Sequence, residues 1–225
     1  MSRISIQGDA SGTGTFTIQS PATNSDRTLT LPDEAGTVLT SAAPIGFKSV
    51  QVFTSSGTYT KPSDINTIFV VVTGAGGSGG SQGMGGAGGG TAMKLIDASS
   101  ITTETVTVAG VSDGGGGSSD GVDGGASSFG SHCSATGGEG GPNGASTEDP
   151  AYGGIGSGGD FNLRGGFGST HRGGGGGSSF WGAVQFKSTV LNVGSWGGGG
   201  RGGPGGIAAY SGSGGVVVVY EYVSY

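Results

Sequence analysis

The sequence predicts an all-β protein in which a glycine-rich domain of packed polyglycine II helices is the larger part, with little or no α-helix. Glycine supplies 57 of the 225 residues, far above its usual share of about 7%. Short segments with period-two alternation lie near the N-terminus, an apolar run lies near the C-terminus, and no ten-residue segment has a helical period. Between them glycine recurs at every third position, the repeat of an extended helix with three residues per turn.

Residues 1–46 are predicted to form a β stem or attachment segment. Four short alternating segments lie here: Arg3–Gln7, Thr15–Gln19, Thr28–Leu31 and Thr37–Thr40. Each offers only one or two apolar side chains, and so little apolar surface cannot hold a lone hairpin together in water. Other chains are therefore expected to complete these strands. A flexible linker is the alternative, but threonine-rich alternation favours strands.

Residues 47–225 are predicted to form the second domain, in which strands bracket the glycine-rich region. The predicted strands are Phe47–Phe53, Thr58–Pro62, Thr67–Thr73, Ala92–Asp97, Thr102–Ala109, Ala183–Val193 and Val216–Tyr222. Thr67–Thr73 and Val216–Tyr222 are the most apolar and are expected to pair in a sheet buried on both faces. The glycine-rich region would then leave and return at the same end of the domain.

The stretch Val70–Gly80 has the spacing of a dinucleotide-binding turn. Gly74, Gly76 and Gly79 form G-x-G-x-x-G after an apolar strand, and Asp97 follows at a tolerable distance for a ribose-binding acid. That site needs a helix after the turn. The next residues are mostly glycine, and each costs a helix about 0.8–1 kcal/mol relative to alanine. A nucleotide site is therefore not expected.

A period of three explains the glycines better. Positions 74, 77, 80, 83, 86 and 89 are all glycine, and so are 76, 79, 85 and 88, whereas side chains concentrate on the third row. The pattern repeats over Gly194–Gly206 and more loosely near Gly141, Gly156 and Gly165. An isolated helix of this type has no internal hydrogen bonds, so bare glycine faces predict rods that bond to each other. A flexible linker is the alternative, which the strict phase and the bracketing strands disfavour.

The charge pattern excludes several partners. The net charge is −6 and only nine Lys and Arg are scattered along the chain, which argues against a nucleic-acid ligand. The N-terminus lacks the apolar core of a signal peptide, and no apolar run approaches the roughly 20 residues of a membrane span. A soluble protein without its own export signal is expected. Cys133 is the only cysteine, so no intrachain disulfide can form.

No catalytic residue, metal site or cofactor is predicted, and the chain is expected not to be an enzyme. His132, Cys133 and His171 have neither a nucleophile motif nor metal-ligand spacing. Gly115–Asp123 departs from the calcium-binding nonapeptide at its fourth and sixth positions, and no second copy follows. A carboxylate pair for glycoside cleavage stays open, because the fold sets the separation. The acids among the glycine runs, such as Asp120, Asp123 and Glu139, are expected on solvated turns.

The connectors between glycine runs carry the candidate contact residues. These are Tyr152, Phe161, Arg164, His171, Arg172, Phe180, Trp181 and Trp196. Aromatic residues and arginine supply most binding hot spots, and recognition usually lies on loops of a rigid scaffold. The alternative is that Phe161, Phe180 and Trp196 pack against the ends of the rods.

Four stretches together resemble the glycine-rich C-terminal domain of tailed-phage tail fibres. They are Gly57–Pro62, Ile68–Gly80, Gly173–Phe180 and Gly215–Tyr222. The resemblance covers roughly residues 47–225. Upstream, Arg27–Val38 is similar to the strand repeats of fibre shafts.

The resemblance implies a virion fibre that recognises the host surface, usually as a homotrimer. The N-terminal segment would attach to other tail proteins, and the protein would be made in the host cytoplasm and act outside the cell. The glycine-rich part is also similar to phage adhesins, some of them monomeric tips, in which layered polyglycine II helices carry apical loops that bind an outer-membrane protein or polysaccharide. A purely structural tail or decoration protein and a polysaccharide depolymerase are the alternatives.

Overall fold

The computed structural model describes residues 46–114, 116, 118–144, 149–183, 196–204 and 208–223. The predicted stem, apart from Gly46, and nearly all of the predicted strand Ala183–Val193 lie outside the described residues. Within them there is no helix, and ten strands form two five-stranded antiparallel sheets. The prediction of an all-β protein is therefore confirmed for this part of the chain.

The first sheet has the order β1-β10-β3-β4-β9. Its strands are β1 (Gly46–Phe53), β3 (Thr67–Thr73), β4 (Thr91–Asp97), β9 (Phe161–Leu163) and β10 (Val216–Val223). The predicted pairing of the two most apolar strands is confirmed, with Val216 opposite Thr73 and Tyr222 opposite Thr67. Because Thr73 and Val216 are register partners, the glycine-rich region leaves and returns at one end of this sheet, as predicted.

The second sheet has the order β2-β5-β6-β7-β8. Its strands are β2 (Gly57–Thr60), β5 (Thr103–Thr107), β6 (Ser127–Phe129), β7 (Cys133–Ala135) and β8 (Gly156–Ser157). Strands β6 to β9 were not predicted from the sequence. Phe161, expected in a connector, lies in strand β9, where it pairs with Met93.

Apolar side chains from both sheets form the main core. Alternate residues of β3 and β10 point inward, so that Val70 and Val219 are fully buried. From the second sheet, Tyr59 and Phe129 meet them with ring centroids 5.5 Å apart. Burying each large apolar side chain stabilises the fold by about 1.5–3 kcal/mol. The glycine-rich region begins after Thr73 and ends before Val216, so it is connected to strands of this sandwich at both ends.

A carboxylate lies inside this core. Glu221 of β10 is 1% exposed. Its oxygens accept hydrogen bonds from Ser49 Oγ at 2.5 Å, Gln51 Nε2 at 2.8 Å and the Tyr59 hydroxyl at 2.9 Å. Three donors replace the water that the carboxylate loses on burial. Burial raises the pKa of the Tyr59 hydroxyl well above its ordinary value, and the bond to Glu221 raises it further.

Extended segments beyond β3 exchange backbone hydrogen bonds with a period of three. In the segment 74–81, amides at positions 74, 77 and 80 donate to carbonyls of the segment 84–90. Amides at 75, 78 and 81 donate to the segment 119–125, and those at 76 and 79 to the segment 210–213. All eight N···O distances lie between 2.9 and 3.1 Å. Successive amides of the segment 74–81 therefore bond to three different neighbouring segments in rotation.

The segment 84–90 repeats this arrangement. Its amides donate in rotation to the segments 136–142, 166–169 and 197–200. We call the set of these extended segments (74–81, 84–90, 119–125, 136–142, 166–169, 174–178, 197–203 and 210–213) the glycine slab. A Cβ on Gly77 would overlap the carbonyl of Glu139, and one on Gly86 would overlap that of Gly77. Glycine is required here because the neighbouring backbones occupy the space of a side chain.

Candidate functional site

The end of the glycine slab remote from the two sheets carries a group of turns. We call the residues 81–83, 142–144, 169–174 and 201–204 the apex. Gly173 N–H donates to the Gly83 carbonyl at 2.9 Å, and Met84 N–H donates to the Pro142 carbonyl at 3.0 Å. These bonds hold turns together that are far apart in sequence. Thr73 and Thr91, where slab segments meet strands, mark the opposite end.

Arginine side chains hold the apex turns to one another. Arg172 Nε donates to the Gln82 carbonyl and Arg201 Nε to the Gly173 carbonyl, both at 2.9 Å. Gln82 has a φ of +53°, and it is the only non-glycine residue with positive φ in the described part of the chain. A left-handed conformation of this kind is uncommon for glutamine and is found where the surroundings fix a tight turn. The apex is therefore ordered by bonds that arginine side chains and backbone amides donate to backbone carbonyls.

Two of the predicted contact residues, His171 and Arg172, lie at the apex and are exposed. Arg201, which the sequence reasoning missed, lies beside them, and its guanidinium is 5.9 Å from the centre of the Tyr210 ring. The sequence could have indicated Arg201, because it interrupts a glycine run in the same way as the candidate contact residues. The apex thus presents the guanidinium groups of Arg172 and Arg201 on turns that are bonded to one another.

Tyr152 lies on the flank of the glycine slab. Its ring meets Phe167 edge-on, with centroids 5.6 Å apart, and both side chains are about half exposed. Its amide donates to Glu139 Oε2 at 2.9 Å. Phe167 was missed, although it stands between glycines like the residues that were chosen. Tyr152 and Phe167 form a second exposed position, separate from the apex turns.

The other predicted aromatic residues lie with the first sheet. Trp181 and Trp196 pack on Val71, Val216 and Val218, so they cover a sheet face and not the ends of slab segments. Phe180 is half exposed and meets Trp181 edge-on.

Phe161 and Arg164 lie at strand β9. Phe161 is 67% exposed, and Arg164 Nη1 donates to the Gly153 carbonyl at 3.4 Å. The eight candidate residues therefore fall in three regions of the domain: the apex, the slab flank and the first sheet.

Carboxylates among the glycine runs bond to backbone amides. Asp120 Oδ1 accepts from Asn143 N–H at 2.7 Å, and Asp123 Oδ1 accepts from Gly140 N–H at 2.8 Å. These acids complete the hydrogen bonding of amides at the border of the slab, which the sequence reasoning had treated as a matter of solubility. In the described residues no group of three or more His, Cys, Asp and Glu has an arrangement that could hold a metal ion.

The cysteine and the histidines are not arranged as a nucleophile and a base. Cys133 is buried in β7, and burial raises the pKa of its thiol to about 11. His132 Nε2 is 3.1 Å from Glu104 Oε2, and His171 lies at the apex. Near neutral pH the thiol is protonated, which makes it a poor nucleophile.

The described part of the chain consists of two packed antiparallel sheets and the glycine slab, with polar and cationic turns at the end of the slab remote from the sheets. This architecture is the basis on which the protein is classified. No protein-family model and no curated protein matches the sequence. Among the described residues there is no helix long and apolar enough to cross a membrane.

Proposed function

We propose that the protein is a phage tail fibre that binds the host cell surface through its apex, and that the slab segments are polyglycine II helices. The period-three hydrogen bonding supports the helix assignment, because successive amides of such a helix point 120° apart. Each segment is tied to several neighbours by its backbone. A scaffold of this kind holds its turns with little freedom to lose on binding, which lowers the cost of recognition.

One observation carries the functional proposal, namely the position of the apex relative to the chain entry. Gly46 and its register partner Val223 lie at the end of the first sheet away from Thr73, where the glycine slab begins. The chain therefore enters this domain at the end of the first sheet remote from the apex. The exposed Arg172 and His171 would then meet an outer-membrane protein or a surface polysaccharide.

Residues 1–45 are proposed as the stem, and three copies as the assembly in the virion. Three copies of a weak site gain avidity when all can engage one surface. No catalytic residue, cofactor or metal has a part in this function.

Adsorption to bacteria tests the proposal. The labelled full-length protein is added to a panel of strains, and cell-bound fluorescence is measured for the wild type and for the His171→Ala/Arg172→Ala variant. Lys48→Ala is the matched control, because it also removes a positive charge but lies at the far end of the first sheet, in an exposed ion pair with Asp64. Exposed pairs of this kind contribute little to stability.

We expect binding to a narrow set of strains, a loss of about tenfold or more in the apex variant, and no loss in Lys48→Ala. A tenfold loss corresponds to about 1.4 kcal/mol, the scale of one hot-spot contact. Undiminished adsorption of the apex variant would rule out the apex as the contact site. If the wild type binds no strain and does not block infection, a purely structural tail or decoration protein becomes the better description.

A further inference from the structure

The first sheet has an apolar face that no other described residue fully covers. Alternate side chains of its five strands point away from the core, and we call them the outer face. Six of its apolar side chains are between 41% and 67% exposed: Phe47, Val50, Val52, Leu95, Phe161 and Leu163. Their exposed area is roughly 600 Å², taking about 200 Å² for a large apolar side chain. That equals the largest apolar patch of a typical monomer.

The outer face is also shaped to receive side chains. Two depressions of about 300 and 230 Å³ lie on it, with Trp181 in the wall of both. Val50, Val52 and Trp196 line the first, and Phe69 and Met93 contribute to the second. Trp181 Nε1 is buried and has no hydrogen-bond partner among the described residues. An unpaired buried donor costs about 1–3 kcal/mol, which the packing of the indole ring on Val71, Val216 and Val218 has to offset.

Asp97, at the end of β4, is a charged side chain of the outer face, because it follows Met93 and Leu95 in the alternation and lies opposite Thr67. Lys94 and Glu221, on strands of this sheet, belong to the opposite face: Lys94 Nζ donates to carbonyls of His132 and Gly158, and Glu221 lies in the core. Apart from Asp97 at the border, a charged glycan or a strongly charged protein would meet mainly apolar side chains here. A mainly apolar surface is complementary to itself, and the roughly 600 Å² of exposed apolar area make up most of the about 800 Å² per partner that a stable interface usually buries.

We propose that the outer face is the contact between copies of this chain, with the face of one copy packed against that of another. Phe161 at one border and Val52 at the other would both be buried in the contact. The proposal deepens the proposed trimer and rests on it only for the number of copies. It does not depend on host binding.

Site-specific photocrosslinking of the full-length chain tests the contact. The photoreactive residue p-benzoylphenylalanine is placed at Val52, at Phe161, or at Val122 as a control, which is 54% exposed but lies in the glycine slab. After irradiation, crosslinked species are separated on a denaturing gel and the joined peptides are mapped. We expect links between copies from Val52 and Phe161 to other outer-face residues, and none from Val122.

The mass of the wild type, measured by light scattering, separates the two proposals. Links between outer faces together with a dimer mass would keep the contact and overturn the trimer. A trimer without such links would overturn the contact and keep the trimer. Links only within one chain, or a monomer at micromolar concentration, would overturn the contact as well.

Substitutions provide the second arm. The Val52→Asp/Phe161→Asp variant places charges in the contact and should raise the dissociation constant at least about tenfold, because a buried unpaired charge is costly. Val111→Asp/Val122→Asp, with equally exposed valines outside the outer face, should leave the constant unchanged. Equal association of both variants would overturn the proposal.

Discussion

At the scale of single residues, the environment of Glu221 shows how a carboxylate is kept in a β core. Its position on β10 fixes an inward direction, since alternate residues of a strand face opposite sides. Ser49, Gln51 and Tyr59 then supply donors from two other strands. The sequence predicted the strand but not this cluster, because nothing in the local pattern reveals that residues about 170 positions away meet there.

Replacing Tyr59 by phenylalanine should remove one of these donors without changing the packing of the ring. The free energy of unfolding at pH 7 should fall by about 1–3 kcal/mol, the cost of leaving a buried polar group without its partner. Urea denaturation measures the change. Tyr152→Phe, at an exposed position, is the control and should stay within about 0.5 kcal/mol of the wild type. Equal effects of the two changes would contradict the role of the Tyr59 hydroxyl.

The same substitution has a pH signature. The pKa of Tyr59 is raised in the folded protein, so above about pH 10 the unfolded state releases a proton that the folded state keeps. The stability due to this group is complete below pH 10 and falls above it, by up to about 1.4 kcal/mol per pH unit. Unfolding curves between pH 8 and 11 should therefore show a smaller deficit for Tyr59→Phe at the alkaline end. A constant difference would contradict the raised pKa.

At the scale of elements, the segments of the glycine slab tolerate side chains on one row in three. Ala75 and Ala87 lie on that row and are fully buried. On the other two rows the carbonyls of neighbouring segments occupy the position of a Cβ. Packing in the slab therefore depends on the phase of glycine along the chain and not on its abundance.

Exchanging two neighbours isolates the effect of phase. The double variant Gly86→Ala/Ala87→Gly keeps the composition of the segment 84–90 but moves the methyl group onto the carbonyls of Gly77 and Ser78. We expect it to lower the free energy of unfolding by about 3 kcal/mol or more, at the upper end for an overpacked core. Guanidinium denaturation measures this.

Gly110→Ala is the control for that exchange. A Cβ on Gly110 meets nothing within 4 Å. Because alanine lowers the conformational entropy of the unfolded chain, the free energy of unfolding should be unchanged or slightly higher. If the exchanged variant lost less than about 1 kcal/mol, the slab would be looser than its geometry indicates.

The length of a strand decides whether the sequence could predict it. β1, β3 and β10 contain seven or eight residues, which is long enough for the alternation of β1 and the apolar runs of β3 and β10 to stand out. β8 and β9 contain two and three residues, too few for any pattern to stand out. The neighbours of each slab segment were also beyond prediction, because rows of glycine are identical and specify no register. Phe161 was accordingly assigned to a connector and not to a strand.

At the scale of the whole molecule, two kinds of interior share one chain. The sandwich buries valine, isoleucine and aromatic side chains, whereas the glycine slab buries mainly peptide groups. The sequence predicted the strands and a separate glycine-rich region, and six of the eight candidate contact residues are exposed, whereas Trp181 and Trp196 are partly buried. The sequence could not predict the division of these candidates among apex, flank and sheet, since that depends on which segments end at the same level.

Calorimetry should detect that the interior of the glycine slab consists mainly of peptide groups. Exposure of apolar surface raises the heat capacity on unfolding, and exposure of peptide groups lowers it. We expect a heat-capacity change per residue clearly below the usual 12–15 cal/mol/K. Differential scanning calorimetry over a range of pH measures this quantity. A value within the usual range would contradict this prediction, because the slab would then have to bury far more apolar surface than its glycine content provides.

The close approach of backbones in the glycine slab has a genetic consequence. Every single-nucleotide missense change of a glycine codon introduces a Cβ, so no conservative substitution is available at positions such as Gly77 or Gly86, where that atom would overlap a neighbouring carbonyl. Exposed apex positions such as His171 already carry a side chain and can change without such an overlap, whereas Gly83 and Gly174 in the same turns are as tightly enclosed as the slab glycines. Selection is therefore expected to purge variation in the slab while allowing it at exposed apex positions, so that the surface can diversify on an unchanging support.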